Sequence, residues 1–381
     1  MSFAIGYIAG PFGAVFFGHI GDRKGRKVTM YASLLMMGIS TSIIGILPPA
    51  ASAGVGVVIV LQLMRLAQCF GRGGTWGGGI LMAYENVPEN KRSFYAAIPQ
   101  IGLPIGFRLS SILIAVPTLL LPEDIFFTWG WRIPFLAAII LTVIVIRQKG
   151  EMMETEDYKK AQAKLEAEEA EGKKHKVGFI PMVKGYWKTL LLGCGTRWVD
   201  GTFYNIFIVW ILSYCINWLG MPLIQTYIIT IIACIFKIPF TLFGGWCAQK
   251  LGNTRTFVIG ALASAVLSIP TLKVIELSKG NLAITIIGIV LGWSIAYNLI
   301  WAVISSLWSS YFETEVRYSG ISFVYHVPSF LVAGMVPTIC TLLINYGKGD
   351  TIYVGIYSTV VALISAACAL ALKARHDRGE K

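Results

Sequence analysis

The sequence predicts an all-α polytopic membrane protein, and three observations support this prediction. Hydrophobic residues make up 55% of the 381 residues and charged residues only 14%, whereas about a quarter of a soluble domain is charged. Apolar stretches long enough to cross a bilayer recur along most of the chain. The basic residues behind the net charge of +12 concentrate between these stretches, as cytoplasmic loops do, so no nucleic-acid partner is predicted.

About eleven spans of about 20 residues each are predicted. They divide the chain into a first bundle over 1–146, a charged connection over 147–187, a second bundle over 188–372 and a tail over 373–381. The predicted spans run over about 3–20, 28–47, 56–82, 94–119, 131–146, 188–217, 223–248, 256–274, 281–308, 319–345 and 351–372.

The charged connection 147–187 is rich in helix formers of mixed charge, so a partly helical cytoplasmic linker is predicted. The favoured interpretation is a solvated segment with no further role. The basic tail after 372 is predicted to be cytoplasmic as well, whereas Glu123 and Asp124 belong to an external loop.

No chemistry of an enzyme is evident in the chain. The seven cysteines fall in apolar segments without metal-ligand spacing, which is typical of small buried residues. The sequence offers no nucleophile–base set and no cluster of metal ligands. Neither an enzymatic activity nor a bound cofactor or metal is therefore predicted.

The most densely charged turn between two spans is the run from Gly18 to Lys27, which holds four basic residues. Such a loop is expected to face the cytoplasm. Gly18 allows two helices to approach closely, and Gly25 permits the backbone angles of a tight reversal. Asp22 can accept from backbone donors or pair with a nearby arginine.

This run resembles the loop between the second and third helices of the major facilitator superfamily, Gly-x-x-x-Asp-Arg-x-Gly-Arg-Lys/Arg. The matching residues are Gly18, Asp22, Arg23, Gly25, Arg26 and Lys27. In that superfamily the aspartate and the arginines lock the inward end of the bundle. The resemblance therefore implies a gating motif, and Glu85 at the cytoplasmic end of the third span is expected to join its charge network.

A weaker copy of the pattern follows the seventh span, between Gly245 and Gly252, with Gln249 at the acidic place and Arg255 kept among the basic ones. The superfamily fold has two pseudo-symmetric halves of six helices. The resemblance thus implies a two-bundle fold with family helices 2–6 over 1–146 and family helices 7–12 over 188–372. The chain is expected to lack the family's first helix.

The third span resembles a segment of one branch, the metabolite:proton symporters, whose pattern is Arg-x-x-Gln-Gly-x-x-x-Gly-Gly-Glu-Trp-Gly-Gly. The matching residues are Arg65, Gln68, Gly73, Gly74, Trp76, Gly77 and Gly78. Cys69 replaces a glycine, and Thr75 replaces the glutamate, which removes a candidate proton carrier. For the glycines, close helix packing is favoured over a binding role.

Ionisable residues within spans are functional candidates because burying them in a bilayer is costly. Arg197, Asp200 and Tyr204 share one helix face, where the branch has an Arg-x-x-Glu pair and a tyrosine. A structural ion pair is the alternative. His326, in a span that opens with the family-like run Arg317 to Gly320, is either a proton-responsive group or a hydrogen-bonded core residue.

Three further basic residues within spans, Arg72, Arg108 and Lys237, match no family position. They indicate either a distinct anionic substrate or relaxed constraint in a damaged transporter.

The resemblance implies a secondary active transporter that takes up a small metabolite with protons by alternating access. Family substrates include organic acids such as shikimate and zwitterions such as proline and betaine, and the positive intramembrane charges favour an organic acid anion. The predicted substrate-binding residues are Arg65, Gln68, Arg197 and Tyr204, and the predicted proton-coupling residues are Asp200 and His326.

Two alternatives remain at this point: a degenerate homologue that transports nothing, and a membrane sensor that binds a metabolite without moving it. The expected partners are the metabolite, protons and the lipid bilayer. A monomer is expected, placed in the cell membrane, which for a bacterial protein is the inner membrane.

Overall fold

The protein is built of helices. The computed structural model contains no strand over the residues that it describes, which are 2–49, 54–148, 153–171 and 179–380. Within the predicted linker, 149–152 and 172–178 lie outside the described residues. In chain order the helices are α1 (Ser2–Lys24), α2 (Arg26–Ile46), α3 (Val55–Glu85), α4 (Arg92–Leu120), α5 (Glu123–Thr128), α6 (Ile133–Gln148), α7 (Glu156–Ala170), α8 (Phe179–Asn205), α9 (Ile211–Asn217), α10 (Leu223–Leu251), α11 (Asn253–Leu277), α12 (Leu282–Ile289), α13 (Tyr297–Tyr311), α14 (Arg317–His326), α15 (Ser329–Tyr346) and α16 (Ile352–Asp377).

Each predicted span coincides with one helix or with helices that continue one another. Within the described ranges, nine helical segments are long and apolar enough to cross a membrane. The helix α1 and the successive helices α14 and α15 account for the other two predicted spans. Two spans are completed through π-helical segments, Ile206–Trp210 between α8 and α9 and Val290–Ala296 between α12 and α13. The prediction of an all-α polytopic membrane protein is confirmed.

The glycines of α3 allow close packing against α1 and α14. A Cβ atom on Gly73 would overlap the backbone where Gly13 meets Ala14. A Cβ atom on Gly77 would lie 2.6 Å from the hydroxyl of Ser322. Because no larger residue fits these positions, the interpretation of the glycines as packing residues is confirmed.

The helices form two compact units, and neither unit is continuous in sequence. As a result, α4 is divided between the units, and α14 and α15 belong to different ones. The first unit comprises the described residues of Met1–Asn86, Ile105–Met182 and Glu313–His326, and the second those of Val87–Pro104, Val183–Phe312 and Val327–Lys381.

Candidate functional site

The charged turn of the first unit depends on Gly25. Its φ of 101° and ψ of 158° lie in a region that only glycine adopts readily. The helix α2 can therefore begin at Arg26 directly after α1 ends at Lys24. Gly18 lies on α1, about two helical turns before Gly25. A Cβ atom added there would be 2.9 Å from the Cα atom of Ser319.

Arg26 is the centre of the network at this turn, and its side chain is fully buried. Its Nε and Nη2 atoms donate to the two carboxylate oxygens of Glu85 over 3.1 and 3.3 Å. Nη1 donates to the carbonyl of Gly21 over 2.9 Å and lies 3.8 Å from the carboxylate of Asp22. Nη2 also donates to the carbonyl of Thr314 over 2.6 Å. A guanidinium suits this place because its planar donors reach several acceptors at once.

Asp22 caps the start of α14. Its two carboxylate oxygens accept from the backbone N–H groups of Tyr318 and Ser319, each over 3.0 Å. A carboxylate at a helix N-terminus satisfies free N–H donors and is stabilised by the helix dipole. The run from Arg317 to Gly320 therefore contacts the charged turn between α1 and α2. Three predicted gating residues, Asp22, Arg26 and Glu85, lie in one buried network. Arg23, in contrast, is exposed.

Glu85 has a second basic partner that the sequence did not single out for this network. Arg317, the first residue of α14, donates to Glu85 over 2.9 Å and to Asp157 over 3.3 Å. Thr155 is fully buried and donates to Glu85 over 2.7 Å. The carboxylate of Glu85 is thus held by residues from α2, α14 and the linker.

The beginning of the linker closes over the turn. Glu154 accepts from the backbone N–H groups of Arg26 and Lys27 over 2.9 and 3.2 Å, which caps the start of α2. Tyr158 donates to the carbonyl of Arg23 over 2.9 Å. Partial burial raises the pKa of the Tyr158 phenol, so it remains a donor at neutral pH. The expectation of a solvated linker without further role is wrong for this part of it.

The second unit contains the other constellation, an ion pair on α8. Arg197 pairs with the carboxylate of Asp200, and both residues are buried. The phenol of Tyr297, at the start of α13, donates to the same carboxylate and is fully buried. The sequence located the pair by its spacing and missed Tyr297, because a tyrosine in an apolar stretch is more often a packing residue. The third residue of the predicted face, Tyr204, is half-buried.

Arg65 and Gln68 lie on α3 and contact different helices of the first unit. The guanidinium of Arg65 lies 6.0 Å from the ring centroid of Phe135 on α6. The amide of Gln68 donates to Thr41 on α2 over 2.6 Å. Thr75, at the family's glutamate position, makes a hydrogen bond of 3.2 Å to the hydroxyl of Ser33.

His326 ends α14 and is buried. Its ring meets that of Tyr325 edge-on, with centroids 4.9 Å apart. Tyr325 in turn stacks on Trp76 of α3 at 4.0 Å. His326 thus belongs to the first unit, whereas Asp200, the other predicted proton-coupling residue, belongs to the second.

Long apolar helices and a glycine-packed first unit define a multi-pass membrane protein. The family comparison is specific: residues 1–337 match the model of the Major Facilitator Superfamily. The chain belongs to this superfamily, and it is a transporter rather than an enzyme.

Known proteins of three kinds resemble the chain over most of its length. The inner membrane metabolite transport protein YhjE of Escherichia coli is 33% identical, over 99% of this chain and 84% of that protein. The shikimate transporter of E. coli is 31% identical, over 98% and 83%. A proline/betaine transporter of Salmonella typhimurium is 27% identical, over 99% and 75%. The predicted resemblance to this group is confirmed.

Among solved structures, the proton:xylose symporter XylE bound to 6-bromo-6-deoxy-D-glucose is similar in fold. The TM-score is 0.74 at 16% sequence identity, over 97% of this chain and 84% of that one. This similarity confirms the major facilitator fold.

Proposed function

We propose that the protein is a proton-coupled symporter of a small organic acid anion in the cell membrane. Transport would proceed by alternating access between the bundles 1–146 and 188–372, with the linker and the tail in the cytoplasm. The names of the similar proteins, which include metabolite and shikimate transporters, support a metabolite as the substrate. The predominance of arginine and lysine among the ionisable residues within spans supports an anion.

The observation that carries the proposal is the buried cluster of Arg197, Asp200 and Tyr297. An ionised Asp200 holds Arg197 and occupies its donors. Protonation of Asp200 removes this competitor and frees the guanidinium for a substrate carboxylate, which arginine binds through two parallel hydrogen bonds. The proton and the anion would then bind together, which is the physical basis of symport.

The remaining predicted residues complete the scheme. Arg65 and Gln68 on α3 and Tyr204 on α8 would be further substrate-binding residues. An arginine near the middle of a span costs roughly 3 kcal/mol on insertion scales, so Arg65 requires a compensating role. His326 is the second candidate for proton coupling because its charge changes near neutral pH.

The network around Arg26 would act as the gate at the cytoplasmic end. Asp22, Arg26 and Glu85 tie α1, α2, α3 and α14 together by ionic and capping contacts. Gly18 and Gly25 allow the close packing and the turn on which this network depends. Conformational cycling would break and remake these contacts, with Arg23 available at the exposed side of the loop.

The test is uptake of radiolabelled organic acids, shikimate among them, by proteoliposomes at varied external pH. Arg65→Lys and Arg197→Lys are expected to lose substrate binding, because an ammonium cannot reproduce a bidentate contact. Asp200→Asn is expected to bind the acid and lose the pH dependence of accumulation. Asp350→Asn is the matched control, since that carboxylate is solvent-accessible and pairs with Lys273.

Other results decide between the alternatives. Full pH-driven accumulation by Asp200→Asn would transfer the coupling role to another group, with His326 tested next. Binding without flux would indicate a sensor. The absence of both binding and flux would indicate a non-transporting homologue. Thr75 at the family's glutamate position also favours this alternative.

A further inference from the structure

Lys237 of α10 is a buried cation that the scheme above does not use. Its side chain is fully buried within the second unit. The ammonium lies over three aromatic rings, 4.4 Å from the centroid of Trp293, 4.3 Å from that of Tyr297 and 5.5 Å from that of Trp301. We name Lys237 and these three rings the lysine cage.

Two buried donors of the lysine cage have no hydrogen-bond acceptor among the described residues: the Nζ atom of Lys237 and the indole Nε1 atom of Trp293. The third ring differs, because the indole of Trp301 donates to the carbonyl of Gln100 over 3.2 Å. Orphaned buried donors are rare and costly. Because these two donors belong to neighbouring side chains, one ligand with two acceptor atoms would satisfy both.

The second unit offers no free carboxylate to neutralise Lys237. Among its described residues, Asp200 is the only fully buried acid, and it already serves Arg197 and Tyr297. Since Arg197 and Asp200 cancel, a protonated Lys237 leaves one buried positive charge. The ring faces attract an ammonium, but they supply no lone pair to its N–H groups.

Two of the elements that carry the lysine cage depart from regular α-helix geometry. Trp293 lies on the π-helical segment Val290–Ala296, and π-segments within α-helices are frequent at functional sites. Pro239 lies inside α10 two residues after Lys237 and removes one backbone hydrogen bond of that helix. The lysine cage is therefore built where the backbone hydrogen bonding of two spans is irregular.

We propose that Lys237 and Trp293 form an anion subsite for the carboxylate of a monocarboxylic acid with a ring-shaped or apolar body. This inference rests on the proposed function and narrows its substrate class. One carboxylate balances the single surplus charge, and its oxygens accept from both orphaned donors. The aromatic faces then contact the body of the acid. Quaternary ammonium zwitterions are disfavoured, since the ammonium of Lys237 already occupies the aromatic faces that would bind their cation.

Binding to the purified full chain in detergent tests the subsite, measured by calorimetry and thermal shift. The probes are benzoate, its neutral counterpart benzamide, shikimate and glycine betaine. The wild type is expected to bind a carboxylate and to bind benzamide and betaine far more weakly. Lys237→Met is expected to weaken carboxylate binding by about 30-fold, the range of a lost hydrogen bond to a charged group. Lys273→Met, whose lysine pairs with Glu276 and Asp350 in the same unit, should leave binding unchanged.

Two further measurements guard against a folding artefact. Trp293→Phe keeps the ring and deletes one donor, so it should weaken binding by about 3- to 10-fold. Ligand-free Lys237→Met should have a higher melting temperature than the wild type, because an unneutralised buried charge is removed; a lower one would show that Lys237 is neutralised within the fold.

Unchanged carboxylate binding in Lys237→Met, or no carboxylate binding by the wild type, would overturn the subsite. Failure of the proposed function gives a different pattern: carboxylate binding that depends on Lys237, with no pH-driven uptake by proteoliposomes.

Discussion

The α1–α2 turn and the α10–α11 turn share one backbone solution. Gly25 and Gly252 have φ of 101° and 90° with ψ of 158° and 151°. In both, the glycine at the start of the motif meets a close neighbour: Gly18 faces Ser319, and a Cβ atom on Gly245 would lie 2.7 Å from the Cβ atom of Ala97. The tight reversal is thus retained in both halves of the chain.

The side-chain chemistry of the two turns differs. Around Gly25, buried charges bind one another, with Arg26 held by Glu85 and Asp22. After Gly252, Asn253 accepts from the hydroxyls of Ser93 and Ser306 over 2.8 and 3.0 Å. Gln249, at the place of the buried Asp22, is exposed. Backbone geometry and ionic network are therefore separable: the two turns share their glycine angles, but among the described residues only the first holds a buried network of charges.

Removing Arg26 should have the largest effect. Arg26→Met leaves Glu85 and Asp22 without their shared cation, and breaking a buried pair costs about 4 kcal/mol of the free energy of unfolding. Thermal unfolding in detergent measures it. Lys24→Met, which removes an exposed charge from the same turn, should change the free energy of unfolding by less than about 0.5 kcal/mol. Equal shifts for the two variants would refute a network centred on Arg26.

Alanine at each turn glycine separates backbone strain from local packing. Both positions have angles that cost an L-residue about 1–3 kcal/mol. A Cβ atom at Gly25 would also overlap the carboxylate of Glu154, whereas nothing lies within 4 Å of one at Gly252. Gly25→Ala should therefore unfold at a lower temperature than Gly252→Ala. The reverse order would mean that the contact with Glu154 contributes no stability.

Asp22→Asn tests the cap on α14. An asparagine keeps one acceptor for the two N–H groups of Tyr318 and Ser319, so about 2 kcal/mol should be lost. We expect normal membrane insertion and a slower transport cycle, measured as initial uptake rates against surface-accessible protein. A variant that transports at the wild-type rate would remove Asp22 from the gate.

The smallest effect is expected at the second turn. Asn253→Ala breaks two neutral hydrogen bonds and should cost about 1 kcal/mol in the free energy of unfolding. Uptake rates should be unchanged, in contrast to Asp22→Asn. A transport defect in Asn253→Ala as large as that of Asp22→Asn would erase the distinction between the two turns.

Most of the fold could be predicted from the sequence because spans and turns are local features. Apolar length and basic loops located all eleven predicted spans, and the glycine spacing located both turns. The spacing of Arg197 and Asp200 located their ion pair for the same reason, since residues three apart on a helix are neighbours.

The partners supplied by distant segments could not be predicted. Glu154, Thr155 and Asp157 lie in a segment whose mixed charge is typical of solvated linkers, and no pattern indicated burial. Tyr297 and the rings around Lys237 lie in apolar stretches, where aromatic residues usually pack in the core. Lys237 stood out as a charge within a span, but only three-dimensional proximity indicates what surrounds it.

The most direct test of the central claim is the proton movement that accompanies entry of an organic acid anion. Wild-type proteoliposomes in weakly buffered medium receive the sodium salt of a membrane-impermeant acid such as shikimate, and a pH electrode records the external medium. We predict alkalinisation that tracks uptake of the acid, and its loss in Asp200→Asn, which still binds the acid. Uptake of the acid by the wild type without alkalinisation would contradict proton-coupled symport.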